Sequence, residues 1–91
     1  MITEDKYYVY MLLSLKDNKF YTGFTANLKE RLSEHIKGMV VSTRLRKPFK
    51  LIHYEYFINK ADAKAREKFL KSGFGRSQIK QALKRTIREL I

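Results

Sequence analysis

The segment KFYTGFTANLKERLSEH, residues 19–35, decides the fold, because a strand pattern changes into a helix pattern within it. FYTGFT is rich in aromatic and β-branched residues, which suit a strand. Asn27 can cap the helix that follows, and Glu30 lies three residues later, as in a capping box. The predicted buried stripe of this helix consists of Leu28, Leu32 and Ile36. Gly38 is expected to end the helix in the left-handed conformation.

Two further segments supply the other strands of the predicted sheet. YYVYMLLSL, residues 7–15, is almost continuously apolar, which indicates a central strand that is buried on both faces. The turn-forming sequence KDNK then connects it to FYTGFT as a hairpin. After a basic loop in which Pro48 excludes a regular helix, LIHYEYFI, residues 51–58, is predicted to form the third strand.

The C-terminal third of the chain is predicted to form two helices. Asn59 and Asp62 mark the start of the first, which continues through good helix formers to Ser72. Gly73 and Gly75 are expected to bracket a tight turn. Apolar residues then recur at helical spacing, at Ile79, Leu83, Ile87 and Leu90. The whole pattern predicts a single α+β domain, residues 1–91, with the element order ββαβαα.

Composition narrows the class of protein. The chain has 91 residues, enough for one domain with a modest core, and its longest apolar run is too short to cross a bilayer. It contains no cysteine, which excludes a disulfide framework, a thiolate metal site and a thiol nucleophile. Residues 1–6 lack the basic start of a signal peptide. We therefore expect a folded cytoplasmic protein that does not associate with membranes.

Positive charge is the strongest compositional signal. Twenty Lys and Arg residues against nine Asp and Glu residues give a formal net charge of +11, which attracts polyanions and favours nucleic acid as the partner. Residues 37–50 contain five basic residues and no acidic one, and residues 60–91 contain ten basic residues and three acidic ones. The candidate phosphate contacts in these stretches are Arg44, Arg46, Lys47, Lys50, Arg76, Lys80 and Lys84.

Two tripeptides carry a family resemblance. Tyr8-Val9-Tyr10 lies in the first predicted strand and Tyr21-Thr22-Gly23 in the second, so that the second tyrosine follows Tyr10 by eleven residues. Together with residues 27–32, His35 and residues 66–68, they resemble the GIY-YIG nuclease family, and most of all its small stand-alone members. The family includes the N-terminal nuclease domain of the bacterial excision-repair incision subunit, which connects it with DNA repair. The resemblance implies a three-stranded antiparallel sheet flanked by helices, and an endonuclease that hydrolyses DNA with one Mg²⁺ or Mn²⁺ ion as cofactor.

The resemblance also implies roles for charged side chains. Glu67 matches the family's metal-binding glutamate, and a lone carboxylate suits Mg²⁺, which keeps several waters and takes further oxygens from a substrate phosphate. Arg31 would present its planar fork of donors to phosphate oxygens. His35, one helical turn further on the same face, would orient water or relay a proton. A simpler interpretation of Glu67 is a surface ion pair with Lys64 or Lys71, both at helical contact spacing.

Polar and aromatic residues match the remaining family positions. Tyr10 and Tyr21 correspond to the two family tyrosines, and Tyr10 is the candidate general base. An ordinary phenol titrates at about pH 10, so nearby cations would have to favour the phenolate; the alternative base is a metal-bound hydroxide that the tyrosines orient. Gly23 lets the backbone approach a phosphate or a helix closely. Thr43 and Lys71 fit positions that are often polar in small members, and we assign them contacts with the nucleic acid.

The chain departs from the family pattern at several positions. Tyr8 stands in place of a glycine, Phe24 stands in place of a lysine that some relatives carry, and only Gln78 lies near an expected asparagine. Two other classes of protein therefore stay open: a non-catalytic nucleic-acid-binding module on the same fold, and a small basic RNA-associated structural protein. A nuclease without an added recognition element is expected to be weakly specific, to recognise a DNA structure or to depend on another protein.

The nuclease interpretation makes one structural demand. The candidate catalytic residues should converge on one concave patch. They are Tyr10, Tyr21, Arg31, His35 and Glu67.

Overall fold

The computed structural model describes residues 5–91, so residues 1–4, where most of the segment without a signal-peptide pattern lies, are outside the described part. Within this described part, three strands and four helices follow one another. Their bounds are β1 Tyr7–Ser14, β2 Phe20–Thr25, α1 Leu28–Ile36, β3 Phe49–Phe57, α2 Lys60–Lys71, α3 Gly73–Ala82 and α4 Lys84–Leu90. The predicted α+β class is confirmed.

The sheet is antiparallel and has the strand order β2-β1-β3. β1 is the central strand, as predicted, and its residues from Val9 to Ser14 are all buried. Asn18 adopts the left-handed conformation in the turn between β1 and β2. Tyr10 pairs with Gly23 of β2 on one side and with Tyr54 of β3 on the other, so the middle of β1 contacts both edge strands.

The two faces of the sheet are covered differently. Val9 and Met11 face α2 and α3 and pack in one apolar cluster with Ala63, Leu70 and Ile79. Because side chains alternate along a strand, Tyr10 points to the opposite face, where its hydroxyl meets His35 of α1. One face of β1 therefore forms the core, and the other face carries polar groups under α1.

Helix α1 starts where the sequence predicts, but its buried face differs from the prediction. The Asn27 side chain accepts a hydrogen bond from the Glu30 backbone amide at 3.1 Å, which confirms the predicted N-cap. The reciprocal bond of a capping box is not formed, because the Asn27 backbone amide donates to Thr25 Oγ1 and the Glu30 carboxylate accepts from the Asn27 side chain instead. Gly38 has a φ of 74° just after the helix. The predicted burial of Ile36 is wrong, since this side chain is 75% exposed and His35 is buried instead. Two turns of an α-helix take about 7.2 residues. His35, seven residues after Leu28, therefore lies on the same face as Leu28, whereas Ile36 is rotated away from it.

The last predicted helix, after Gly75, is divided into two helices, α3 and α4. Ser72 caps α3 by accepting a hydrogen bond from the Gly75 amide, so the two glycines lie in the first turn of α3 and the predicted tight turn bracketed by them is wrong. The helix is interrupted at Leu83, whose backbone leaves the helical region and whose side chain packs against the core cluster. The element order is therefore ββαβααα, with the predicted order fitting the first six elements.

An ion-pair cluster fixes α2 against the edge strand β3. Arg66 of α2 donates from Nε and Nη2 to the two carboxylate oxygens of Glu55, at 2.9 and 3.1 Å, and His53 lies 2.9 Å from the same carboxylate. Burial acts to raise the pKa of Glu55, but hydrogen bonds from Arg66 and His53 outweigh it and lower the pKa. Because a bidentate pair sets the rotation of a helix, it also sets the direction of the next side chain, Glu67.

No helix in residues 5–91 combines the length and the apolar character that a membrane span requires.

Candidate active site

Three rings from three different elements meet on the face of the sheet that α1 covers. Tyr10 comes from β1, Tyr21 from β2 and His35 from α1. The centroid of the His35 ring lies 5.2 Å from that of Tyr21 and 5.6 Å from that of Tyr10, and the two tyrosine centroids are 6.3 Å apart. The structure thus brings together three of the five candidate catalytic side chains.

A chain of buried hydrogen bonds passes through this ring cluster. The Tyr10 hydroxyl lies 2.8 Å from His35 Nε2, and His35 Nδ1 lies 2.8 Å from the Thr43 hydroxyl. Tyr10 and Thr43 are 0% exposed and His35 is 2% exposed. The assignment of Thr43 to nucleic-acid contact is therefore corrected, because its hydroxyl is buried and already bonded to His35 Nδ1 and the Val40 carbonyl. Its hydroxyl contacts His35, a role that the sequence reasoning missed.

Gly23 provides the space that the Tyr10 ring occupies. The two residues are paired across β1 and β2, and the ring lies over the glycine. A Cβ atom at this position would lie 2.8 Å from Tyr10 Cε1 and still closer to Cζ and the hydroxyl oxygen. The group that approaches Gly23 closely is therefore this ring, where the sequence suggested a phosphate or a helix.

Arg31 lies next to the ring cluster on α1, one turn before His35. Its guanidinium donates to the Glu34 carboxylate at 3.1 Å. The adjacent Tyr10 hydroxyl, and then Glu34, raise the pKa of Arg31, so the side chain stays charged. Its side chain is about one-third exposed, which leaves donors available to a ligand.

The protonation states of the cluster follow from burial. Burial raises the pKa of Tyr10 to about 12, with Arg31 opposing the shift and the negative charges of Tyr21 and Glu67 adding to it. Burial, and then Arg31, lower the pKa of His35. At neutral pH Tyr10 is therefore a protonated phenol, and His35 is a neutral imidazole with one nitrogen that can accept a proton.

Glu67 contributes a carboxylate close enough to Tyr10 to affect its pKa. The side chain is 15% exposed, and its oxygens lie 2.9 Å from Lys71 Nζ and 3.6 Å from Lys64 Nζ. These are the surface ion pairs with Lys64 and Lys71 that the sequence offered as the simpler interpretation of Glu67. Both lysine side chains are more than half exposed, so they are free to move away when a cation or a ligand arrives.

Glu67 offers a single carboxylate, placed between two mobile lysine side chains, as a protein ligand for a divalent ion. Within residues 5–91, no group of three or more His, Cys, Asp or Glu side chains is arranged to hold a metal ion. An ion at Glu67 would therefore take most of its ligands from water and from substrate oxygens, and Mg²⁺ tolerates such a shell. The single carboxylate also excludes a dedicated zinc site at this position.

A groove of about 810 Å³ begins at Tyr21 and runs between β2 and the helices α3 and α4. We call it the basic groove, because its lining includes cations and no acidic residue. These cations are Lys19, Arg46, Lys71, Arg76, Lys80, Lys84 and Arg88. Five of them were predicted contacts, whereas Lys19 and Arg88 were missed. Arg88 follows Lys84 by four residues, so helical spacing was a signal that pointed to it.

Besides the buried Thr43, three predicted contacts, all of them cations, lie outside the basic groove. Arg44 and Lys50 are exposed elsewhere on the surface, and Lys47 Nζ donates to the Ile36 carbonyl at 3.2 Å. Within the groove, the Arg46 guanidinium already has partners inside the protein. Its Nε donates to Asp17 at 2.8 Å, and the group lies over the Phe49 ring. The basic residues of the loop between α1 and β3 therefore do not form one surface.

Comparison with known proteins identifies similar sequences and a similar fold. The sequence model of the GIY-YIG catalytic domain matches residues 6–81. UPF0213 protein CPE1444 of Clostridium perfringens is 37% identical over 83 residues, which cover 90% of this chain and 88% of that protein. UPF0213 protein NP_0776A of Natronomonas pharaonis is 43% identical over 67 residues, which cover 72% of this chain and 78% of that protein.

A solved structure extends the similarity to three dimensions. The solution NMR structure of UPF0213 protein BH0048 from Bacillus halodurans superposes with a TM-score of 0.56. The two proteins are 32% identical, and the match covers 85% of this chain and 84% of the other.

The contact between Gly23 and Tyr10 generates a testable prediction. Gly23→Ala should lower the free energy of unfolding by about 1–3 kcal/mol, because the new methyl group overlaps the Tyr10 ring. The matched control is Gly73→Ala, where an added Cβ meets nothing within 4 Å and the helical position favours alanine. Urea denaturation measures both variants, and equal stability of the two would contradict the packing described here.

Proposed function

The chain belongs to the GIY-YIG family, and we propose that it is a Mg²⁺- or Mn²⁺-dependent endonuclease that hydrolyses DNA phosphodiester bonds. The observation that carries the proposal is the position of Glu67. Its carboxylate lies 2.9 Å from Nζ of Lys71, which lines the basic groove together with Tyr21, and its charge acts on Tyr10 of the ring cluster. A carboxylate, a guanidinium and a buried hydroxyl chain beside a cationic groove are the parts that phosphodiester hydrolysis requires.

Each side chain has a distinct task in this proposal. Glu67 would hold the divalent ion, which when bound supplies positive charge to the phosphate oxygens. Arg31 keeps its charge and offers a planar fork of donors to the non-bridging oxygens. Tyr21 lies at the mouth of the basic groove, where its hydroxyl can orient a water or the phosphate.

Tyr10 and His35 together would remove the proton of the attacking water. A phenol whose pKa is about 12 is a poor source of phenolate at neutral pH. Tyr10 is fully buried, so the attacking water would have to enter the ring cluster; Tyr10 can accept the proton of that water if it releases its own proton to His35 Nε2, which lies 2.8 Å away. In this relay an O–H bond of water and the O–H bond of Tyr10 break, while a new O–H bond forms on Tyr10 and an N–H bond forms on His35.

The basic groove supplies affinity for the nucleic acid. Its cations neutralise phosphates, and phosphate contacts position a nucleic acid without reading its sequence. Its lining also includes Phe20, over which Lys80 lies at 5.5 Å from the ring centroid, so bases as well as phosphates can be contacted. Weak sequence specificity, or recognition of a DNA structure, is the expected consequence.

A second candidate function, a non-catalytic nucleic-acid-binding module, is favoured by one observation. Both carboxylate oxygens of Glu67 face lysines, and an ion pair of this kind neutralises the carboxylate without a metal. In that case Lys64 and Lys71 would stay in place when nucleic acid binds. The following experiment separates the two functions.

Glu67→Gln should slow metal-dependent cleavage by about a hundredfold or more and leave binding intact, because it removes a metal ligand and keeps the side-chain volume. The control is Glu89→Gln on the exposed side of α4. Cleavage of labelled duplex, flapped, branched and single-stranded DNA is measured with Mg²⁺, Mn²⁺ or EDTA. Equal cutting by wild type and Glu67→Gln would contradict the assignment, and binding without cutting of any substrate would favour the module.

The basic groove makes a separate prediction about salt dependence. Changing Lys80, Lys84 and Arg88 together to alanine should reduce the slope of log affinity against log salt by about 0.9 for each duplex phosphate contact that is lost. The control changes Lys29, Lys37 and Lys60, which are exposed outside the groove, and so removes the same charge. Fluorescence anisotropy at several salt concentrations measures both variants. Equal slopes for the two would place the binding surface elsewhere.

A further inference from the structure

Both ring nitrogens of His35 are bonded to buried hydroxyl groups. Nε2 meets Tyr10 and Nδ1 meets Thr43, each at 2.8 Å. A neutral imidazole has one N–H donor and one acceptor nitrogen, whereas a hydroxyl can donate or accept. One of the two hydroxyls must therefore donate to His35, and the other must accept from it. The direction of these two hydrogen bonds depends on which hydroxyl has a second acceptor for its proton.

Thr43 has such a place. Its Oγ1 lies 3.4 Å from the Val40 carbonyl oxygen, which is only an acceptor. The Thr43 proton is therefore directed to Val40, and its oxygen accepts the hydrogen of His35 Nδ1. This leaves Nε2 without a proton, as the acceptor for Tyr10.

The surroundings of Tyr10 give the same direction independently. In the part of the chain that the structure describes, His35 is the hydrogen-bond acceptor within reach of the Tyr10 hydroxyl. Arg31, whose guanidinium also lies beside this hydroxyl, has only donors. If His35 donated to Tyr10, the proton of Tyr10 would point at a guanidinium, so the opposite direction is disfavoured at both ends of the chain.

We propose that Thr43 is a positioning residue, which holds His35 in the tautomer with its proton on Nδ1 so that Nε2 accepts the proton of Tyr10. For catalysis this rests on the proposed nuclease function, because it is the relay through Tyr10 that needs a free Nε2. In the other tautomer Nε2–H would donate to the Tyr10 oxygen and could not receive its proton. Thr43 thereby decides whether Tyr10 can accept a proton from water, without itself touching the substrate.

The direct test is the tautomer of His35, read from the ¹⁵N chemical shifts of its ring. The chain has two histidines, so a His53→Gln variant assigns the signals. Wild type should show a protonated Nδ1 and an unprotonated Nε2 at neutral pH. A protonated Nε2 in wild type would overturn the proposal, and this measurement needs neither activity nor a change at Thr43.

Two variants of Thr43 connect the tautomer with catalysis. Thr43→Val keeps the shape and removes the hydroxyl, so the Nδ1–H tautomer, which is then favoured from the Tyr10 end alone, should fall in population, and cleavage should slow by about tenfold to a hundredfold. Thr43→Ser restores the hydroxyl and should restore both. DNA affinity should stay the same in all three proteins. An unchanged tautomer in Thr43→Val, or slow cleavage by Thr43→Ser with the wild-type tautomer, would contradict the proposal.

Failure of the nuclease proposal is distinguishable from failure of this one. If no DNA substrate is cut, the function of the site is wrong, but the ¹⁵N spectra of wild type and Thr43→Ser still decide the tautomer. If DNA is cut and the tautomer does not depend on Thr43, the positioning role is wrong and the nuclease proposal stands.

Discussion

The hydrogen bond between Tyr10 and His35 is the interaction on which the arrangement of the site depends. It joins the central strand to α1 beneath the surface, where an unpaired hydroxyl or imidazole would be costly. It requires a glycine at position 23, because the Tyr10 ring crosses that residue. It also requires the chain after α1 to return with Thr43, which satisfies the second nitrogen of His35.

A second constraint fixes the helix that carries Glu67, on the opposite face of the sheet from α1. The bidentate pair between Arg66 and Glu55 holds α2 at the edge strand, and Glu67 is the next residue. α3 and α4 then supply the cations of the basic groove, which begins at Tyr21. The groups of the proposed site therefore come from both sides of the sheet, with Arg31 and His35 on α1 and Glu67 on α2.

The sequence predicts the elements well where a local cause acts. The N-cap at Asn27 and the apolar run of β1 depend on neighbouring residues, and both occur as predicted. The sequence does not reveal contacts between distant segments. Thr43 lies in a loop without periodicity, and its burial depends on His35, while the ring over Gly23 depends on strand register. The break at Leu83 interrupts an apolar pattern of helical period, because the core takes up that side chain.

The central claim is that a divalent ion binds at Glu67 beside the two tyrosines, and paramagnetic broadening by Mn²⁺ tests it most directly. Substoichiometric Mn²⁺ is added to ¹⁵N-labelled protein together with a DNA oligonucleotide. The account predicts that broadening centres on the amide of Glu67 and on the rings of Tyr10 and Tyr21, and that it disappears in Glu67→Gln. Broadening centred on another carboxylate, such as Asp17 or Glu34, or unchanged broadening in the variant, would contradict it.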